Sequence, residues 1–83
     1  MRLLATLVLL GAFITLPAFA ADQFSSEDAA QRHCPTDVVV WLNLPTSIYH
    51  FKGQRWYGKT KSGAYVCQKE ADKDGARATR NGE

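Results

Sequence analysis

The sequence predicts a small α+β domain, with an antiparallel sheet of about three strands and one short C-terminal helix, held by one disulfide bond. Three observations lead to this prediction. Short β-branched and aromatic runs are separated by turn residues, a run of good helix formers ends at a glycine, and the 83 residues include two cysteines. A chain of this length has room for one small domain.

Residues 1–20 have the pattern of a secretory signal peptide. Arg2 gives a positive start, an uncharged apolar run follows, and Ala18-Phe19-Ala20 places small residues where a signal peptidase cleaves. A retained membrane anchor is the alternative, but the run is shorter than the roughly 20 apolar residues that cross a bilayer, and no basic stop-transfer cluster follows it. We therefore expect cleavage after Ala20 and a periplasmic or secreted protein without a stable membrane anchor.

Cleavage after Ala20 leaves 63 residues, in which Cys34 and Cys67 are the only cysteines. A domain of this size buries only about 60% of its unfolded surface, so a covalent or metal staple is expected. In an oxidising compartment a Cys34–Cys67 disulfide closes a loop of about 34 residues and stabilises the fold by roughly 3–4 kcal/mol. A redox-active thiol pair is the weaker alternative, because such pairs usually lie close together as C-x-x-C.

Before the first cysteine, residues 21–33 form a polar N-terminal segment, in which Ser25 or Ser26 is suited to cap a short helical turn. We expect the disulfide-stapled domain to span residues 34–77. The remaining residues, 78–83, have no apolar period and are expected to be a disordered tail.

Three strands and one helix are predicted inside that domain. VVVWLN at residues 38–43 is β-branched and aromatic, too short for a helix and bounded by turn residues, so it predicts a strand. IYHF at 48–51 follows a hairpin-length turn as its antiparallel partner, and AYVC at 64–67 predicts the third strand. KEADKD at 69–74 favours a helix, which Gly75 would end in the left-handed conformation.

Residues 53–60 read GQRWYGKT, which matches the phosphate-loop pattern G-x-x-x-x-G-K-[ST]. Such a loop must follow a strand and open directly into a helix whose N-terminus faces the phosphate. Here Lys61-Ser62-Gly63 predicts a turn, and a strand follows it. We therefore predict that the protein does not bind a nucleotide.

Basic and aromatic residues are interleaved in the same segment. Stacking side chains mixed with Lys and Arg are typical of surfaces that bind single-stranded nucleic acid or other polyanions. The simpler interpretation is that the aromatic residues are buried and the basic ones are solvated, because the chain without Arg2 has nine basic and eight acidic residues. We name this segment the basic-aromatic strip, and its members are Lys52, Arg55, Trp56, Tyr57, Lys59 and Lys61.

Catalytic and metal sites have less support. No nucleophile-elbow pattern or pair of confined carboxylates can be recognised, so we predict no catalytic residues. His33, His50 and the two cysteines are possible zinc ligands by type, but a disulfide would remove the thiolates. We therefore predict no metal and no cofactor, and expect His50 to pack in its strand with one ring nitrogen hydrogen-bonded.

The stretches YHFKGQRWYGKT, GAYVC and KEADKDGAR resemble the small zinc-binding module at the front of the Ada DNA-repair methyltransferase and on some secreted nucleases. Its approximate pattern is Y-H-x-P-G-C-R-x-Y, a turn, and then E-A-x-x-x-G-x-R-x-C. The matching positions here are Tyr49, His50, Gly53, Arg55, Tyr57, Glu70, Ala71, Gly75 and Arg77. Nearly the whole chain after residue 20, including His33-Cys34-Pro35, also resembles short exported bacterial proteins of unassigned function.

The departures from the Ada pattern affect its metal ligands. Gln54 stands at the first metal cysteine, no cysteine follows Arg77, and Lys52 replaces the proline. The resemblance implies a retained scaffold with a Cys34–Cys67 bond in place of the metal, and no methyl-transfer chemistry. The expected function is that of a small non-enzymatic binding or accessory module whose ligand or protein partner is unknown, with polyanion binding through the basic-aromatic strip as the alternative.

Overall fold

The computed structural model describes residues 20–83, so the predicted signal peptide lies outside the described residues except for Ala20. Every predicted strand and the C-terminal helix is present within one residue of its predicted ends, and the α+β class is confirmed. Within the described part of the chain, no helix is long and apolar enough to cross a membrane. The elements in chain order are α1 (Glu27–His33), β1 (Val39–Asn43), β2 (Ile48–His50), β3 (Gly63–Cys67), α2 (Gln68–Lys73) and β4 (Arg77–Ala78).

The sheet has four strands in the order β3-β1-β2-β4. β1 pairs antiparallel with β2 and with β3, as expected from the hairpin-length turn and the β-branched runs. β4 is additional to the predicted strands and runs parallel to β2. It is short and is made by backbone hydrogen bonds, Arg77 N to Ser47 O and Thr79 N to Tyr49 O, both 3.0 Å, so no side-chain pattern in the sequence indicates it.

The segment predicted as a disordered tail, residues 78–83, lies against the sheet. Beyond β4, the backbone N–H of Trp56 donates to the carbonyl of Glu83 at 3.0 Å. The Thr79 hydroxyl donates to Asn81 Oδ1 at 2.8 Å, and Asn81 Nδ2 donates to Glu83 Oε1 at 3.2 Å. The open edge of β2 thus gives the segment backbone partners that an apolar pattern would not reveal.

One face of the sheet, the core face, carries the main apolar cluster. Because side chains alternate along a strand, Val40 and Leu42 of β1 lie on the same face as Tyr49, Ala64 and Val66 of the neighbouring strands. Helix α2 covers this face through the fully buried Ala71. The Tyr49 hydroxyl donates to Asp72 Oδ1 at 2.6 Å and so ties β2 to α2.

The opposite face, the disulfide face, carries Trp41, His50, Tyr65 and Cys67. The predicted Cys34–Cys67 bond is present, with Cα atoms 6.3 Å apart. It joins the end of α1 to the end of β3, so α1 lies on this side. The rings of Trp41 and Tyr65 pack edge to face with centroids 4.9 Å apart.

Helix α1 begins at the predicted cap. The Ser26 hydroxyl accepts a hydrogen bond from Ala29 N at 3.1 Å. Acidic residues occupy the first turn, where their negative charge interacts favourably with the helix dipole. Ala30 is fully buried, and Phe24 forms an isolated β-bridge with Tyr65. The polar segment 21–33 therefore packs as part of the domain.

Candidate ligand-binding groove

Residues 51–62 form a loop that lies over the disulfide face. Trp41 Nε1 donates to Thr60 Oγ1 at 2.7 Å, and the Tyr57 ring packs edge to face on Tyr65 with centroids 5.6 Å apart. At the end of the loop, Leu44 N donates to Ser62 O at 3.0 Å. These contacts hold the loop at both its middle and its end, so it forms a fixed wall above the sheet.

The loop can approach the sheet because Gly63 has no side chain. A Cβ atom at this position would lie 2.4 Å from Trp41 Cζ2, far inside van der Waals contact. The Trp41 indole therefore lies directly on the β3 backbone, from which its N–H reaches Thr60.

The phosphate-loop pattern GQRWYGKT falls within this loop. The chain continues from Thr60 through bends into β3 at Gly63, so the helix that a phosphate loop requires does not follow it. The Thr60 hydroxyl, which would help to hold Mg²⁺ in such a loop, accepts the Trp41 hydrogen bond instead.

A groove of about 500 Å³, open to solvent, lies between this loop and the C-terminal segment. Its volume is within the roughly 300–1,000 Å³ of small-molecule sites. Strand residues form its floor, and the loop and residues 79–83 form its walls. The groove is lined by Asn43, Thr46, Ile48, His50, Trp56, Lys59, Thr60, Lys61, Thr79, Asn81 and Glu83.

His50 in the floor is a buried polar side chain without a full set of partners. It is 7% exposed, and its Nδ1 atom has no hydrogen-bond partner among residues 20–83. Nδ1 is therefore not the one hydrogen-bonded ring nitrogen that the sequence led us to expect. Its cross-strand neighbour is Trp41, whose indole N–H is already used by Thr60, so this neighbour offers no partner. Most buried polar atoms are paired, so Nδ1 is an exception, and it has almost no surface accessible from the groove.

Three members of the basic-aromatic strip reach the groove. Trp56 is 38% exposed, and Lys59 and Lys61 are exposed. Neither lysine forms an ion pair with any residue in the described range. The groove therefore combines an aromatic surface with two cationic groups that are free to take a ligand.

Arg55 supports the Trp56 wall from outside the groove. Its guanidinium carbon lies 5.0 Å from the Trp56 ring centroid, a cation–π distance. Its Nη1 atom is 3.7 Å from Glu83 Oε2, an ion pair that joins the loop to the C-terminal segment. Arg55 is thus already partnered.

The remaining members, Lys52 and Tyr57, contact α1 instead of the groove. Lys52 Nζ lies 2.8 Å from Glu27 Oε2, and the Tyr57 hydroxyl donates to Glu27 Oε1 at 2.9 Å. These hydrogen bonds, first that of Lys52 and then that of Tyr57, lower the pKa of Glu27. Burial, followed by the Glu27 hydrogen bond, raises the pKa of Tyr57. The strip is therefore divided between two surfaces.

A second polar cluster, outside the groove, surrounds His33. Its Nε2 atom is 2.8 Å from Glu70 Oε2 and 3.3 Å from Asp22 Oδ2. In the part of the chain that the structure describes, two sets of three side chains place their possible metal-ligand atoms close to one another. One set is His33, Cys67 and Glu70, and the other is Cys34, Asp37 and Cys67. Both include sulfur atoms of the disulfide, which cannot act as thiolate ligands.

Gln54, which stands at the metal-cysteine position of the Ada pattern, has a backbone role. Its side-chain oxygen accepts a hydrogen bond from Phe51 N at 2.8 Å, and its own N–H donates to Phe51 O at 2.9 Å. An amide side chain thus closes the turn that begins the loop.

The sequence did not indicate the groove itself. Asn43, Thr79, Asn81 and Glu83 carry no motif, and three of them lie in the segment expected to be disordered. The sequence pointed to this place only through Trp56, Lys59 and Lys61 of the basic-aromatic strip, since His50 was expected simply to pack in its strand.

Comparison with known proteins finds no matching family model, no similar curated protein and no similar solved structure.

Proposed function

We propose that this protein is an exported, non-enzymatic binding module, and that its groove holds a small planar molecule carrying one anionic group. One observation carries the proposal. A single groove brings together the partly exposed Trp56 indole, two ammonium groups that have no ion-pair partner among residues 20–83, and the ring of His50.

The chemistry of the groove favours that ligand class. Arg55 covers one face of the Trp56 ring and is absent from the groove lining, so the opposite face is left for a planar ring to stack on. Lys59 and Lys61 attract an anion. Glu83 on the opposite wall would repel a second negative charge, so one anionic group fits better than several.

Export is supported by the disulfide, because such bonds persist in oxidising compartments. The signal-peptide pattern of residues 1–20 agrees with it. The sequence resemblance to the Ada-type module, with the metal cysteines missing, would also fit an accessory role in the periplasm or outside the cell.

A binding role is supported over catalysis by the partners of the histidines. Within residues 20–83, no Ser, Thr or Cys side chain hydrogen-bonds to His33 or His50. An activated nucleophile normally has such a contact with its base.

Polyanion binding along the whole basic-aromatic strip is the alternative function. It has less support, because Lys52 and Arg55 each face a carboxylate at 4 Å or less. Polyanion binding would weaken steeply with salt in proportion to the phosphates neutralised. A single-anion ligand would show only a weak salt dependence.

The test is a titration of the exported protein, followed by ¹H–¹⁵N NMR, with benzoate and phenyl phosphate as probes. We expect dissociation constants on the order of 1 mM, as for other small fragments. Benzyl alcohol, which has the ring without the charge, should bind more weakly. The double variant Lys59→Ala/Lys61→Ala should lose roughly tenfold in affinity, whereas Lys69→Ala, an exposed lysine on α2, should not change it.

Two results would count against the proposal. Equal binding of benzyl alcohol and benzoate would mean that the anionic group does not contribute to binding. Stronger, salt-sensitive binding of an oligothymidylate that depends on Lys52 and Arg55 would favour the polyanion alternative.

A further inference from the structure

The predicted cleavage point lies where the described chain enters the apolar core. Ala20 is exposed, whereas Ala21 is 6% exposed and belongs to the core cluster with Val40 and Val66. The side chain of the residue that would become the new N-terminus is therefore held by packing.

Two carboxylates beside Ala21 share one hydrogen-bond donor. Both Asp22 Oδ2 and Glu70 Oε2 face the same atom, His33 Nε2, which carries at most one hydrogen. Among residues 20–83, no Lys or Arg nitrogen lies within ion-pair distance of either carboxylate. The two carboxylates therefore have no lysine or arginine partner in direct contact, although Lys73 lines the adjoining pocket.

The Ala21 backbone nitrogen is close to this cluster. Asp22 N donates to Glu70 Oε1 at 3.2 Å. Successive backbone nitrogens are separated by at most roughly 3.6 Å, so Ala21 N lies within roughly 7 Å of the same oxygen. A pocket of about 240 Å³, lined by Ala20, Asp22, Glu70 and Lys73, adjoins it and provides space for the nitrogen to turn toward the carboxylates.

We propose that proteolytic removal of residue 20 and everything before it completes this cluster. Water, delivered by an endopeptidase, hydrolyses the peptide bond between the Ala20 carbonyl carbon and the Ala21 nitrogen. Ala20 leaves with the new carboxylate, and the Ala21 nitrogen takes up protons to become an ammonium group that pairs with Glu70 and Asp22. An uncharged amide cannot make that ion pair, so cleavage adds stability to the domain as well as releasing it.

This inference is independent of the groove, which lies between the loop and the C-terminal segment and shares none of these residues. Loss of ligand binding in the groove would leave it unaffected, and its failure would not alter the groove.

The test starts from the full chain exported by a bacterial host, whose N-terminus is read by intact mass. We expect it to begin at Ala21. Acetylation near pH 6.5 modifies α-amines ahead of lysines, because their pKa values are lower, and removes the new charge. We expect acetylation to lower the Tm of the wild type by about 4–8 °C.

The same acetylation should lower Tm by less than half as much in Glu70→Gln, which lacks one partner. Asp28→Asn, a carboxylate elsewhere on the surface that pairs with Arg32, should show the full wild-type loss. If Glu70→Gln does not fold, Asp22→Asn serves in its place. An N-terminus other than Ala21, an unchanged Tm after acetylation, or equal losses in wild type and Glu70→Gln would each overturn the proposal.

Discussion

Single side chains decide how closely the loop approaches the sheet. Gly63 lies beneath the Trp41 indole, and the indole N–H in turn holds Thr60. A glycine usually weakens the strand that contains it. Here the lack of a Cβ atom allows the Trp41 ring to contact the β3 backbone. The position of the groove wall therefore depends on one missing methyl group.

Gly63→Ala should destabilise the domain by about 1–3 kcal/mol, because the new methyl group would overlap the Trp41 ring and push it from the sheet. Urea unfolding followed by Trp fluorescence measures the loss. Gly53→Ala is the control: its φ of 94° is strained for alanine, but nothing lies within 4 Å of the new atom. It should cost about 1 kcal/mol and leave the fluorescence of the folded state unchanged. Equal losses and equal spectra would contradict the assigned contact.

The Nδ1 atom of His50 is buried without a hydrogen-bond partner, which is unfavourable for stability. His50→Phe removes that atom while keeping a ring of similar size, so stability should stay within about 1 kcal/mol or rise. His50→Ala leaves a cavity and should cost about 2 kcal/mol or more. A large loss in His50→Phe would show that the imidazole is fully hydrogen-bonded in solution.

At the scale of elements, Glu27 joins α1 to the loop through two hydrogen bonds. The pKa of Glu27 is lowered from 4.5 by Lys52 first and Tyr57 second. The pKa of Tyr57 is raised from 10.0 by burial first and Glu27 second. A lowered carboxyl pKa adds stability that is present above pH 4.5 and is lost as the pH falls through the folded value. A raised tyrosine pKa adds stability that is present below pH 10 and is lost as the pH rises beyond it.

Glu27→Gln should therefore make stability less dependent on pH, both in acid and in alkali. Relative to the wild type, its unfolding midpoint in urea should fall less between pH 5 and pH 3, and less above pH 10. Asp28→Asn, the neighbouring exposed carboxylate, should keep the wild-type slope above pH 10 because it does not contact Tyr57. Parallel profiles for the wild type and Glu27→Gln would contradict the assigned contacts.

The elements also show which parts of the structure a sequence can predict. β1 and β3 were predictable because their β-branched runs match a buried strand, and Gly75, at φ 92°, ends the region of α2 as expected. β4 was not, because parallel pairing over two residues uses backbone groups that every residue has. The basic-aromatic strip was recognised as a segment, but its division was not, because Glu27 and Glu83 come from distant parts of the chain.

For the whole molecule, the disulfide compensates for a small core. Its fully buried side chains of appreciable size are Val40, Val66 and Cys67 among the described residues, and Cys67 is part of the bond. The cysteine count and the expected export allowed this bond to be predicted. The groove was not predictable in the same way, because its walls come from the loop and from a C-terminal segment without a pattern.

Reduction of the Cys34–Cys67 bond should lower the free energy of unfolding by roughly 3–4 kcal/mol, comparable with the net stability of so small a domain. Thermal melting with and without reductant measures this loss. Cys34→Ala/Cys67→Ala should melt in the same range as the reduced protein and should not respond to reductant. An unchanged melting curve after complete reduction would mean that the core suffices by itself.

The proposed function depends on ligand binding in the groove, so the most direct test is to locate the site where benzoate binds. We expect the ring protons of benzoate to give intermolecular nuclear Overhauser effects to the indole protons of Trp56 and the imidazole protons of His50, with shifts at Lys59 and Lys61. Binding of benzoate at any other surface, with no contact to Trp56 or His50, would contradict the assignment of this groove as the ligand site.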